Sequence, residues 1–291
     1  MDTTQNINYR EDRPDLGIPV IDFHIHPIYY DYYRESTLEW IKKPQSPQSW
    51  DEFYTKNSDP AYFADYLKRC GVDYAVIMAD HTPIVNGMCS NEYVLNFCKD
   101  YKELIPFASI NPYMTSNLAV ELKRLINKGF RGIKFYPTYQ YFYVNEPLLY
   151  PLYTCAQDLQ IPVLFHTGTS VFKGARLKYG DPIYLDDLAV DFPELKIVMV
   201  HSGRGTWYDL AVSLCRLHQN IHMEVAGLPP QKLLDYFPEL EKVADQVIFG
   251  SDWPGVLDIG ENINTIKQLD LRKDTKLKIL GGNASQLLGL N

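Results

Sequence analysis

Cysteine is scarce and scattered in this chain, basic residues form no block, and no apolar run approaches the length of a membrane span. Each shortage removes a class of protein. The five cysteines, Cys70, Cys89, Cys98, Cys155 and Cys215, are odd in number and never form a Cys-x-x-Cys pair. They offer neither a disulfide framework nor a zinc ribbon, and a reducing, cytoplasmic setting fits them best. The net charge of -8, from 28 basic and 36 acidic residues, comes without a positive stripe. Nucleic acid and other polyanions therefore have no electrostatic footprint to follow. No stretch reaches the roughly 18 apolar residues needed to cross a bilayer, and the polar start MDTTQNINYREDRPDLG lacks the apolar core of a signal peptide. These exclusions leave a small molecule as the expected partner, and the sequence leaves room for a homodimer.

What is present is a repeating alternation. A chain of 291 residues with 46% hydrophobic content can bury a large core. Eight β-branched and aromatic runs recur, at 20–26, 73–80, 104–112, 131–137, 162–168, 196–203, 221–227 and 246–254. Helix candidates lie between them. SDPAYFADYLKRCG has Ser58 or Asp59 as cap and Gly71 as stop; TSNLAVELKRLINKG has Thr115 or Ser116 before its apolar stripe and Gly129 after it. Further candidates are PLLYPLYTCAQDLQ, YLDDLAVDFPEL, TWYDLAVSLCRLHQN and PPQKLLDYFPELEKVAD. Eight such alternations predict an α/β protein of the (β/α)8 TIM-barrel type rather than an open sheet. No linker-like shift in composition cuts the chain, so 1–291 is read as one domain. One connection breaks the rhythm, an aromatic-rich insertion at about 28–57 after the first run. Loops after barrel strands build the active-site face, so this insertion is expected as a pocket wall or lid, or else as a surface excursion or oligomer contact.

The first run, VIDFHIHP, places His24 and His26 one residue apart. A strand points alternate side chains to opposite faces, which puts Asp22, His24 and His26 on one side and Ile21, Phe23 and Ile25 on the other. Two imidazoles at this spacing can converge on one ion, although neighbouring histidines are more often solvated or hydrogen-bonded into a core. The remaining strand ends tip the balance. Lys134 sits in the fourth run, His166 in the fifth, His201 in the sixth and Asp252 in the eighth. By alternation these side chains point to the barrel axis at its C-terminal rim, a convergence that packing alone does not explain.

DFHIHP, RGIKFYP, PVLFHTG, HSG, IFGSDWP and the tail KILGGNASQLLGL, in this order from about Ile18 to Leu290, resemble the amidohydrolase superfamily. The nearer likeness is to its amidohydrolase-related branch, which includes aminocarboxymuconate-semialdehyde and resorcylate decarboxylases. The resemblance implies a (β/α)8 barrel with one divalent metal, usually zinc with manganese as the alternative, held by His24, His26, His166 and Asp252. It also implies His201 as an active-site acid or base. A metal-activated water at neutral pH, with Asp252 accepting its proton and His201 polarising a carbonyl or donating a proton, suits hydrolysis of a small amide, ester or lactone. Non-oxidative decarboxylation of a small aromatic or muconate-like acid is the rival, and a non-catalytic barrel with a structural metal is the third reading. Lys134 is carboxylated and bridges two metals in some branches; here it is read as a cation at the rim that attracts an acidic substrate. Tyr136 stands where relatives carry histidine, which puts any role carried over to it in doubt. Arg176 and Arg204, near the expected mouth, are assigned with Lys134 and Tyr136 to binding a carboxylate-bearing substrate. Asp22 is expected to orient a ligand by a hydrogen bond or to serve as a structural carboxylate. Glu224 is expected to bond within the core or to reach the site.

Overall fold

The computed structural model describes residues 17–43, 47–256 and 258–290. The expected leaderless N-terminus, 1–16, and residues 44–46 of the insertion lie outside them. The frame is eight strands: β1 (Ile21–Ile25), β2 (Tyr74–Met78), β3 (Leu104–Ser109), β4 (Ile133–Phe135), β5 (Pro162–His166), β6 (Lys196–Val200), β7 (Ile221–Glu224) and β8 (Val247–Ile248). Each pairs in parallel with the next in chain order. The ring closes where Phe23 N–H donates to Phe249 O at 3.0 Å, Asp252 N–H to His24 O at 3.0 Å and His26 N–H to Trp253 O at 2.8 Å. The expected TIM barrel is therefore the fold. Among the described residues no helix is long and apolar enough to cross a membrane.

Parallel neighbours need long crossovers, and helices supply them. Pro60–Arg69 starts at Asp59, whose carboxylate accepts from Ala61 N–H at 2.9 Å, with Pro60 in the first turn where no donor is needed. Leu118–Asn127 is capped by Asn117, which accepts from Val120 N–H at 3.1 Å, rather than by Thr115 or Ser116. The long candidate at 229–245 breaks into pieces, Pro230–Lys232, Leu233–Tyr236 and Leu240–Gln246. Phe237, before Pro238, leaves the helical region at φ -131°, because the proline ring disfavours that region in the residue before it. Asn91–Cys98 and Ile259–Gln268 are helices that the periodicity does not single out.

Two apolar layers surround the strands. One, containing Ile77, Phe135, Phe165, Met199, Met223 and Phe249, packs against the helices. The other joins Phe23, Phe107, Leu164, Val198, Val200 and Ile248 with Ala284 and Leu287 of the last helix. Side chains of strands that are not neighbours meet only inside a barrel, so this second layer is its floor, closed from below by Asn283–Leu288. Hence Ile21 and Phe23 point inward, on the face expected for Asp22, His24 and His26 alone. A register shift between Asp22 and Ile25 permits it and lets His24 also face the axis while Ile25 turns to the helices. A small antiparallel sheet, ordered Tyr32–Tyr33, Gly87–Cys89, Asp80–Thr82, ties the insertion to the loop after β2.

Candidate metal centre and its pocket

The C-terminal ends of β1 and β7 and the loop after β8 bring the first donors together. His24 Nε2 lies 3.1 Å from His26 Nε2 and 3.3 Å from Asp252 Oδ1, and His26 Nε2 lies 3.7 Å from that oxygen. Ligand atoms on a tetrahedron with bonds of about 2.1 Å are about 3.4 Å apart, so the triangle has the size of a metal's coordination face. The chemistry fits as well. His24 Nδ1 is 2.9 and 3.1 Å from the two oxygens of Glu224. Donating there, it leaves Nε2 as a lone pair aimed at Asp252 and His26. Burial lowers His24, His166 and His201 well below 6.5 and His26 to about 3, which keeps the imidazoles neutral as ligation requires. His166 completes the group less tightly. Its ring centroid is 4.7 Å from that of His201 and its Nε2 is buried with no partner, but the three-donor group of His24, His26 and Asp252 does not include it. Three of the four expected ligands thus converge outright, and the fourth stands beside them with an unused nitrogen.

Backbone strain holds this geometry. His201, Ser202 and Asp252 have φ of 64°, 48° and 67°, a region that costs non-glycine residues of the order of 1–3 kcal/mol each. At β6 the turn allows His201 to enter the site directly after the inward Val200, which alternation would forbid. Glycines give the room: a Cβ on Gly250 would lie 2.7 Å from His24 Cβ and 2.8 Å from Glu224 Oε1. His201 Nδ1 is 2.8 Å from Ala226 O. A carbonyl only accepts, so Nδ1 carries the proton and Nε2 is free to accept, which, of the two roles expected from sequence, acid or base, suits the base or acceptor.

Around these groups lies a cavity of about 300 Å³. Trp40, Tyr136, Tyr139 and Phe172 supply flat walls, and Lys134 and Arg204 supply positive charge. Lys134 is fully buried, its Nζ lacks a hydrogen-bond partner and sits 5.1 Å over the Tyr136 ring, and burial lowers it to about 8. It is therefore inside the pocket, not at the rim. Tyr136 donates its hydroxyl to Ala79 O at 2.8 Å and presents its ring. Arg204 Nη1 is 3.6 Å from Asp252 Oδ2, while Nη2 donates to Thr169 O at 3.0 Å. Asp252 is raised to about 6 by burial, against the pull of Arg204 and Lys134. Arg176 is not in the pocket: it is exposed and stacks over the Tyr141 ring at 4.4 Å. Asp22 does not touch a ligand's ring. Its Oδ1 accepts the backbone N–H groups of His24 and Ser251, at 3.1 and 2.9 Å, and Glu224 is the carboxylate on the imidazole. The sequence left Glu224 undecided; the insertion, expected as a pocket wall among other roles, contributes Tyr30, Thr37 and Trp40 to the lining, and Asn86, next to the small sheet, lines it with no sign in the sequence.

Solved structures share the architecture. A TIM-barrel protein of Bordetella bronchiseptica aligns at a TM-score of 0.77 and 22% identity over 93% of this chain and 98% of its own. A dihydroxybenzoic acid decarboxylase of Polaromonas sp. JS666, with bound manganese and the inhibitor 2-nitroresorcinol, aligns at 0.70 and 17% identity over 94% and 98%. A probable 2-pyrone-4,6-dicarboxylic acid hydrolase of Acinetobacter baumannii, with citric acid bound, aligns at 0.64 and 19% identity over 94% and 100%. Several further similar structures are decarboxylases of substituted aromatic acids. At these identities the likeness establishes the fold. The amidohydrolase family model matches residues 21–290, almost the whole described chain, and the protein belongs to that family.

Proposed function

We propose that the protein is a metal-dependent, non-oxidative decarboxylase of a small hydroxylated aromatic acid. The observation that carries this reading is the pocket's make-up: a donor cluster suited to a divalent ion and two cationic side chains, set between flat aromatic walls in about 300 Å³. The similarity to decarboxylases of dihydroxybenzoate and carboxyvanillate supports it further, over the hydrolytic reading that the sequence favours. In this account His24, His26, His166 and Asp252 hold one ion, manganese or zinc. Lys134 stays a free cation rather than a carboxylated bridge, because a place over an aromatic face suits positive charge.

The ion, when bound, supplies Lewis acidity that polarises the substrate's oxygen substituents. The protein does the rest. Lys134 and Arg204 attract the carboxylate, and Trp40, Tyr136, Tyr139 and Phe172 hold the ring and keep water away. His201 Nε2 accepts a hydrogen bond from a ring hydroxyl. The acid form of Asp252 gives its proton to the ring carbon that bears the carboxylate. The carbon–carbon bond then breaks, its electron pair returns to the ring and carbon dioxide leaves. Asp252 remains as the carboxylate and is reprotonated from solvent.

One observation favours a second reading. Asp252, within the donor cluster, also suits taking a proton from a nucleophilic water, and a probable pyrone hydrolase shares the fold. Product analysis in ¹⁸O-labelled water separates the two. Decarboxylation predicts stoichiometric carbon dioxide from a hydroxylated benzoate with no label in the aromatic product. Label in a new carboxylate formed from a pyrone or other lactone, with no carbon dioxide from any aromatic acid, overturns the proposal.

A further inference from the structure

The pocket wall holds an acceptor that the chemistry above does not use. Asn86 is 4% exposed and lines the cavity, yet its Oδ1 is buried with no hydrogen-bond partner. Its amide is not free to turn. Nδ2 donates to Asp80 Oδ2 at 3.0 Å, and the same oxygen accepts the Tyr30 hydroxyl at 3.1 Å. Asp80 Oδ1 accepts the Thr82 hydroxyl at 2.5 Å. An ionised carboxylate only accepts, so the amide must present its NH₂ to Asp80 and its oxygen elsewhere. Asp80 is fully buried and behind the wall, whereas Tyr30 and Asn86 both face the cavity. Native proteins leave few buried acceptors unsatisfied, and such an atom in a pocket wall is a place for a ligand's donor.

We propose that Asn86 is a specificity-determining residue that accepts a hydrogen bond from a ring hydroxyl or amino group of the substrate, and that Asp80 is the positioning residue that turns its oxygen toward the cavity. The class of substrate, an aromatic acid, rests on the proposed function; the recognition of a donor rests on Asn86 and Asp80. The carboxylate belongs at the Lys134 and Arg204 side, since an amide oxygen repels an anion. The substrate therefore carries its donor substituent on a part of the ring that reaches the insertion side of the pocket.

The test is binding rather than turnover, so it stands apart from the reaction. Manganese-loaded protein is titrated calorimetrically with the 2-, 3- and 4-isomers of hydroxybenzoate, aminobenzoate and fluorobenzoate, where fluorine is of similar size and donates nothing. At one ring position the hydroxy and amino acids are expected to bind about tenfold more tightly than the fluoro acid, as one neutral hydrogen bond provides. Asn86→Ala, and Asn86→Leu as a second variant, should bring that ratio close to one while leaving the fluoro acid's affinity unchanged. Asp80→Asn, which lets the amide turn, should lower the same ratio, and an unchanged ratio there removes the positioning role. Preferences that persist at every position in both Asn86 variants overturn the assignment, whatever the reaction proves to be. Failure of all nine acids to bind the wild-type protein sinks the aromatic-acid class itself.

Discussion

At the residue scale, the ligating side chains were legible by type and order, but their facing was not. Alternation places Lys134 and His166 correctly, since Phe135 and Phe165 do turn to the helices. It fails at His24, where a register shift lets Phe23 face inward too, and at His201, where a left-handed turn follows the inward Val200. Both failures occur where the backbone is distorted to build the site, as expected of strained functional segments. Glu224 was ambiguous because a lone inward carboxylate on a strand does not reveal which nitrogen it meets. Its contact with His24 makes a prediction: Glu224→Gln should weaken metal affinity about 10- to 100-fold, because the imidazole loses the carboxyl group that orients it. Competitive titration against a chelating dye measures it. His201→Asn should lose at least about 100-fold in kcat with unchanged metal content and melting temperature, the mark of a group that acts in the transition state. Full activity in that variant would remove His201 from the mechanism.

At the element scale, all eight strands were readable from composition, and the helices that failed did so for local reasons such as the Phe237-Pro238 step. The small sheet was not readable. Its strands, Tyr32–Tyr33, Asp80–Thr82 and Gly87–Cys89, are two or three residues long, too short to show a period, and the first pairs with the last across more than fifty residues. Yet this sheet anchors the insertion that lines the pocket. The helix Glu35–Lys42 projects Trp40 into the wall, where it meets Phe172 edge-on with ring centroids 5.2 Å apart. Trp40→Ala removes one face of the slot while leaving every candidate metal donor in place. It should raise KM about tenfold or more with a smaller change in kcat, measured by steady-state kinetics. Away from the site, Asn117→Ala should cost about 1 kcal/mol in urea unfolding through the lost helix cap, with activity unchanged.

At the scale of the whole molecule, a closed barrel buries its titratable groups, and pH acts on the fold through them. Burial lowers His81 and His222 from 6.5 to about 4. The unfolded chain takes up a proton near 6.5 that the folded chain refuses until about 4, so their effect is absent above 6.5 and stability falls between those values. The loss is at most roughly 3 kcal/mol per histidine. Buried carboxyls work in the opposite sense: Asp22, raised to about 7 chiefly by burial, favours the folded state at low pH and loses that contribution as pH rises through 7. The difference between proteins isolates the histidine. Between pH 7.5 and 5, His222→Gln should lose less unfolding free energy than the wild type; equal losses would show that His222 is not held neutral. Decarboxylation is tested by following hydrogen and carbon together. Manganese-loaded protein is incubated with a hydroxylated benzoate in D₂O and the product examined by NMR and mass spectrometry. Proton transfer from Asp252 predicts one carbon dioxide released per product and one deuterium at the ring carbon that lost the carboxylate, with both absent in Asp252→Asn. An unchanged acid after prolonged incubation with every hydroxylated benzoate that binds, or a product lacking deuterium at that carbon, would contradict it.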